Sequence, residues 1–235
     1  MINFLADGER ISMKKNSKYN YKDVTRITDH GSRTYDVLGT RLPSVTTILS
    51  ATKDQSFLTA WKNKVGPENA ERIKNHSSNR GTAMHKFLEK HIEGEGYDDL
   101  TTLGQEARTM AQTIIDSGLS NVTEYYGSEV SLYYQGLYAG STDLVCMHDG
   151  METIVDFKQA NRPKKTEWIQ DYYLQIAAYA MAHDHMFGSQ IEQGVIMICT
   201  PDNFYQEFKC QGEKMRYYRH EFLKRLSQYY DQSKA

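Results

Sequence analysis

The chain has 235 residues, of which 39% are hydrophobic and 25% charged, with a formal net charge of -2. This is the composition of an ordinary folded globule, long enough to bury a core as one large domain, and it excludes a disordered or low-complexity chain. The near balance of charge excludes a globally basic coat for nucleic acid and leaves only a local basic track open.

Residues 1 to about 45 read as short strands and turns, with Asp29-His30-Gly31-Ser32 as a turn and Arg33 to Val37 extended. Met1 to Arg10 carries a short apolar patch followed by Asp7 and Glu9, neither a secretory signal nor an acid-poor transit peptide. No apolar run approaches membrane-spanning length, so a cytoplasmic protein without a membrane partner is expected. Pro43-Ser44 opens a helical stretch. Gln55 to Val65 has helical periodicity, with Phe57, Leu58, Trp61 and Val65 on one side. Pro67 fits the first turn of a helix toward Asn75, which Ser77-Ser78-Asn79 is expected to break. A new helix then runs from about Arg80 to Glu93, with Met84, Leu88, His91 and Ile92 as its apolar stripe, and ends at Gly94-Glu95-Gly96. Another spans about Leu103 to Ser117, stopped by Gly118.

From Ser128 the texture changes, which divides the chain into 1–127, an N-terminal part of strands and helices, and 128–235, an α/β core. Glu129 to Tyr134, Leu137 to His148 and Met151 to Gln159 read as consecutive antiparallel strands. A long helix follows from about Lys165 to Met186, then strands at Gly194 to Thr200 and Phe204 to Gln211 around Pro201-Asp202-Asn203, and a last helix from Glu213 to about Asp231. The fold class is α/β, a mixed central sheet flanked by helices with a helical N-terminal elaboration.

Within the strands, Asp149-Gly150 flanked by apolar runs is a strong hairpin signal. If these are the two turn residues, His148 faces Met151, Asp143 stands opposite Asp156, and Ser141 stands opposite Lys158. Side chains alternate along a strand, so Asp156 and Lys158 share a face. Directly opposed carboxylates repel. A fold keeps such a pair most easily around a divalent cation, and two Asp and a Lys about a hard cation are the toolkit for phosphodiester hydrolysis. A second acid-x-Lys triplet, Glu207-Phe208-Lys209, has no carboxylate at the matching position.

Gln175 and Tyr179, four apart, share a helix face that could fold back over these acids. Gly81, His85 and Glu89 lie one turn apart in succession; His85 reads either as a core histidine beside an apolar stripe or as a ligand oriented by Glu89. With Gln135-Gly136 as a two-residue turn, Glu129 would face Thr142 and miss the acids, whereas a bulge near Ala139-Gly140 would bring it across. Of the basic groups, Arg162, Lys164 and Lys165 lie nearest the acids and are the best phosphate contacts; those at Lys62 and Lys64, at Arg72 and Lys74, and along the last helix read as solvated faces. The 17 tyrosines, many in tandem pairs, could stack on bases, but core and strand packing is their commoner use. Cys146, Cys199 and Cys210 make no CxxC pair and no cluster, so they read as buried thiols in a reduced compartment, with no iron–sulfur cluster.

In order along the chain, GxxxH at Gly81 to His85, Glu129, GxxD at Gly140 to Asp143, DxK at Asp156 to Lys158 and QxxxY at Gln175 to Tyr179 resemble the PD-(D/E)XK nuclease superfamily, in its RecB-like exonuclease branch. The run Leu42 to Leu49, Trp61-Lys62 and Gly81 to Glu89 is similar to the mitochondrial genome-maintenance exonucleases and their bacteriophage relatives. The resemblance covers about residues 42 to 185. It implies a restriction-endonuclease-like fold and a metal-dependent DNA exonuclease acting on single strands or free ends, in recombination, repair or replication, alongside a recombination or replication protein. It implies Mg²⁺ or Mn²⁺ held by His85, Asp143, Asp156 and the Phe157 carbonyl. Lys158 would orient the attacking water, Glu129, Gln175 and Tyr179 would complete the site, and Ser141 and Tyr179 would touch the strand. A structure-specific endonuclease on the same core and a non-catalytic DNA-binding subunit are the rival readings.

Overall fold

A computed structural model describes residues 13–29 and 32–232. Met1 to Arg10, His30-Gly31 of the expected turn and the Phe57 side chain lie outside the described residues. The chain opens with β1 (Lys14–Lys15), β2 (Thr25–Asp29), β3 (Ser32–Val37) and β4 (Thr40–Pro43). Helices α1 (Val45–Ala51), α2 (Ser56–Val65), α3 (Pro67–Ile92) and α4 (Thr102–Ser117) follow. Then come β5 (Val122–Tyr134), β6 (Tyr138–His148), β7 (Met151–Gln159), α5 (Gln170–Phe187), β8 (Gln193–Cys199), β9 (Tyr205–Gln211) and α6 (Glu213–Gln232).

The main sheet has the order β1-β5-β6-β7-β8-β9 and is mixed: β1 and β5 are parallel, as are β7 and β8, and the other neighbours are antiparallel. Alternation along the strands sends Val145, Ile154, Ile196 and Ile198 into one core with α1, α5 and α6, and Leu144, Cys146, Val155, Val195 and Met197 into a second core with α3 and α4. Helices therefore cover both faces, and α3 and α4 form one of the two helical layers. Strands β2, β3 and β4 make a separate small sheet whose Tyr35, Val37 and Leu42 pack on Ala139 of β6. Ser44 caps α1 by accepting the Thr47 N–H at 3.0 Å and bridges to Ala139, which pins the small sheet to β6.

The helix expected from about Lys165 starts at Gln170, after a separate 3-10 turn at Thr166–Trp168, and two further boundaries differ from expectation. The break at Ser77-Ser78-Asn79 is absent, and α3 is one helix of 26 residues. Helix propensity there is weak, but tertiary bonds hold the segment: Ser77 bonds Asn161 across the groove, and Arg80 bonds Gln159 at the end of β7. On the same helix Phe87, not the exposed His91, completes the buried stripe with Met84, Leu88 and Ile92. The sheet also begins earlier than Ser128, because β5 starts at Val122 and carries register shifts between Val122 and Glu124 and between Tyr125 and Gly127. The three cysteines are free and buried, and no helix among the described residues is long and apolar enough to cross a membrane.

Candidate active site

The site is built at the open end of the β6–β7 hairpin. Asp149 and Gly150 both have positive φ, 49° and 76°, the conformation a two-residue primed turn requires. The turn fixes the register His148–Met151 through Leu144–Val155. The next pair in that register is Asp143 with Asp156, where the regular ladder stops. There the Asp143 carboxylate accepts the Phe157 N–H at 2.6 Å. In an extended strand a residue's N–H and C=O point to the same side, so the Phe157 carbonyl also faces β6.

Glu129 reaches the site by neither of the two devices open in the sequence, a two-residue turn or a bulge near Ala139-Gly140. The β5–β6 loop is three residues long, pairing Tyr134 with Tyr138, and the extra residue, Leu137, shifts the register by one. Glu129 then falls between the Ser128–Leu144 and Val130–Thr142 pairs, level with Asp143. Its φ of 50° lies in the left-handed region, costly for a residue with a side chain and common where function demands it. Ser141 Oγ donates to Glu129 Oε2 at a long 3.4 Å.

From the other side α3 delivers His85, whose Nδ1 lies 3.3 Å from Asp143 Oδ1. The approach depends on Gly81, one turn earlier: a Cβ there would meet Gln159 Cγ at 3.2 Å. Glu89 does not orient His85; its carboxylate takes the Lys86 ammonium at 3.0 Å. One ligand atom each from His85, Glu129 and Asp143 lies within 4.8 Å of the others.

Asp156 stands beside this trio. It is 2% exposed, and its Oδ2 pairs with Lys158 Nζ at 2.5 Å. The Lys158 ammonium also lies 5.1 Å from the centre of the Tyr172 ring. Tyr172 belongs to α5, which covers this face as expected: Gln175 Nε2 donates to the buried Tyr179 Oη at 3.1 Å, and the Tyr179 ring sits against Gly140.

Burial and unequal neighbours push the acids apart. Burial and the Asp143 charge raise the Asp156 carboxyl, although Lys158 opposes them. Asp143 is lowered: burial would raise it, but His85, Lys158 and the Phe157 N–H outweigh burial. Glu129 is raised to about 7 by loss of water around its carboxyl and by the Asp143 charge. Burial would lower the His85 imidazole, but Asp143 outweighs it and raises it to about 9. Lys158 is raised by Asp156 and Asp143 despite its burial. Carboxylates displaced in this way cluster at functional sites.

The basic residues separate into two groups. Arg162, Lys164 and Lys165 lie in the connection after β7, at the Lys158 end of that strand. Of the α6 cations Arg216 and Lys224 are exposed, as a solvated face requires, but three are engaged: Arg219 pairs with Asp184 at 2.9 Å, Arg225 donates to the Leu49 carbonyl at 2.6 Å, and Lys214 sits 3.6 Å from the Tyr173 ring centre. Two residues of the site escape sequence reasoning. Arg80, 3% exposed, donates to Gln159 at 2.8 Å and to Glu106 at 2.9 Å, locking α3 to the end of β7 and to α4. Its one signal was adjacency to Gly81. Tyr172 was visible only as half of a tandem tyrosine pair.

Comparison with protein-family models gives no match. The chain is 28% identical over 212 residues to mitochondrial genome maintenance exonuclease 1 of Mus musculus, covering 82% of this chain and 60% of that protein. It is 29% identical over 177 residues to the same protein of Homo sapiens, covering 68% of this chain and 50% of that one. The chain thus spans between half and three-fifths of the length of these relatives. Among solved structures, a candidate exonuclease of Eubacterium rectale aligns with a TM-score of 0.48 at 12% identity, over 66% of this chain and 67% of that one. In sequence the chain is therefore similar to mitochondrial genome maintenance exonuclease 1, and its ordered motifs resemble those of PD-(D/E)XK exonucleases.

Proposed function

We propose that this chain is a divalent-metal-dependent deoxyribonuclease that hydrolyses phosphodiester bonds from free ends of single-stranded DNA. Its setting would be recombination, repair or replication in a bacterial or phage-infected cytoplasm, beside a recombination or replication protein. The observation that carries the reading is the convergence of His85, Glu129 and Asp143 within 4.8 Å, next to the buried Asp156–Lys158 pair. The donor set suits Mg²⁺ or Mn²⁺, with hard oxygens and one imidazole.

His85, Glu129 and Asp143 would hold the ion, with Asp156 and the Phe157 carbonyl as the remaining oxygens. When bound, such an ion polarises the scissile phosphate and acidifies the attacking water. Lys158, held by Asp156 and the Tyr172 ring, orients that water and stabilises the charge that develops on the phosphate oxygens. Gln175 fixes the Tyr179 hydroxyl, and Tyr179 fixes the Gly140 backbone three residues before Asp143. Arg162, Lys164 and Lys165 supply phosphate contacts along the incoming strand.

Linear and covalently closed single-stranded DNA of one sequence, incubated with the chain and Mg²⁺, test the reading. The exonuclease digests the linear form and leaves the circle. Digestion of the circle would establish the endonuclease reading in its place, and binding without cleavage of either would establish a non-catalytic subunit.

A further inference from the structure

Trp168 is 55% exposed, an unusual fate for a tryptophan in a fixed turn. It lies in the β7–α5 connection, within a single 3-10 turn at Thr166–Trp168. That turn is anchored on both sides. Lys164 N donates to Gln206 Oε1 at 2.6 Å and Gln206 Nε2 donates back to the Lys164 carbonyl at 2.9 Å, so one side-chain amide of β9 clamps the backbone before the turn. The next residue, Ile169, is fully buried, and Trp168 N donates to the Lys165 carbonyl at 3.0 Å. The indole is therefore offered to solvent from a rigid backbone.

The surroundings are cationic. Lys165 Nζ lies 5.4 Å from the indole centre. Among the described residues none of Arg162, Lys164 and Lys165 is in an ion pair with a carboxylate, although Lys53 beside them is paired with Asp171 at 2.6 Å and Glu167 adds one acid to the turn. Partial burial and the Arg162 and Lys53 charges hold the Lys164 ammonium below its usual value, a sign of crowded positive charge. Tyr172, four residues on and inside α5, has its ring centre 5.1 Å from Lys158 Nζ. Trp168 thus stands in the connection between the strand that carries Asp156 and Lys158 and the helix that carries Tyr172.

We infer that Trp168 is a base-stacking platform that, with Lys165 and Arg162 on the adjoining phosphates, grips a nucleotide of the single strand next to the bond being cleaved. The inference rests on the nuclease reading above and makes Trp168 a positioning residue for the substrate. An aromatic face beside unpaired cations is the standard recognition surface for an unstacked base on a charged backbone. A duplex offers no free base face there, so the platform selects single strands.

The test uses the full chain in EDTA, where no cleavage occurs, with end-labelled oligothymidylate and an abasic strand of equal length and charge. Trp168→Ala is predicted to weaken oligothymidylate binding by about tenfold or more, the worth of one stacked base, with Trp168→Phe retaining most of the affinity. Abasic-strand binding is predicted to be the same in all three. In a Trp61→Phe background, where Trp168 is the only tryptophan, oligothymidylate is predicted to quench the emission and the abasic strand to leave it unchanged. With Mg²⁺, Trp168→Ala is predicted to raise KM at unchanged kcat. Unquenched emission with Trp168→Ala binding at wild-type affinity, in a chain that still cleaves, would overturn the platform and leave the nuclease standing. A wild-type chain that neither binds nor cleaves any strand would overturn both.

Discussion

Gly140 opens the GxxD motif, and its reason lies one layer away in α5. A Cβ built on Gly140 would sit 2.6 Å from Tyr179 Cε1, against an ordinary carbon–carbon contact of about 3.5–4.0 Å. In Gly140→Ala the ring must retreat by about 1 Å. It has little room, because Tyr179 is 2% exposed and its hydroxyl is bonded to Gln175 at 3.1 Å. Overpacking of this kind costs about 1–3 kcal/mol, which for a domain of this size is a fall in Tm of about 2–12 °C. The same displacement moves the strand that carries Asp143, and a 1 Å error in a catalytic constellation can cost about a hundredfold in rate. Thermal melts and single-turnover cleavage measure the two effects. Removing the ring in Tyr179→Leu relieves the clash, so the double variant should melt nearer to Tyr179→Leu alone than additivity allows. A Gly140→Ala chain with wild-type Tm and rate would refute the close apposition of β6 and α5.

Two further outcomes follow from the same site. Because the folded His85 pKa, about 9, lies above its unfolded value of 6.5, the His85–Asp143 pair stabilises fully below pH 6.5 and its contribution is lost as pH rises through 9. Tm of the metal-free chain should fall over that window, and His85→Ala should flatten the fall; parallel profiles would refute the pairing. Arg80→Met should cost about 3 kcal/mol, the lower end for breaking a buried charged network, because Glu106, left behind, is 29% exposed to water. A denaturant midpoint like that of the wild type would show that Arg80 does not tie α3 to β7.

Much of this was legible in the sequence, and the exceptions have physical causes. The Asp149-Gly150 dipeptide dictates a primed turn, and a turn with no freedom of length fixes every pair above it, hence the placing of Asp143, Asp156 and Lys158. Glu129 was open because Gln135-Gly136 fits a two-residue turn as well as part of a three-residue one, and one added residue reverses which side chains meet. The continuity of α3 through Ser77-Ser78-Asn79 was hidden because its support comes from Asn161 and Gln159, some 80 positions on. Arg80 was illegible for the same reason: an arginine beside a glycine gives no local hint that its partners are Gln159, Glu106 and Asn161. Arg219 and Arg225 of α6 misled in the opposite direction, since a charged stripe looks the same whether water or Asp184 and the Leu49 carbonyl receives it.

The central claim is hydrolysis at the His85–Glu129–Asp143 site with Lys158 as its charge-stabilising group. The most direct measurement is a time course on linear single-stranded DNA labelled at either end, with Mg²⁺, with EDTA and with the Lys158→Met chain. The expected result is short products released from one labelled end in Mg²⁺, none in EDTA, and none from Lys158→Met although that chain still binds the strand. Undiminished cleavage by Lys158→Met, or by the wild-type chain in EDTA, would contradict it.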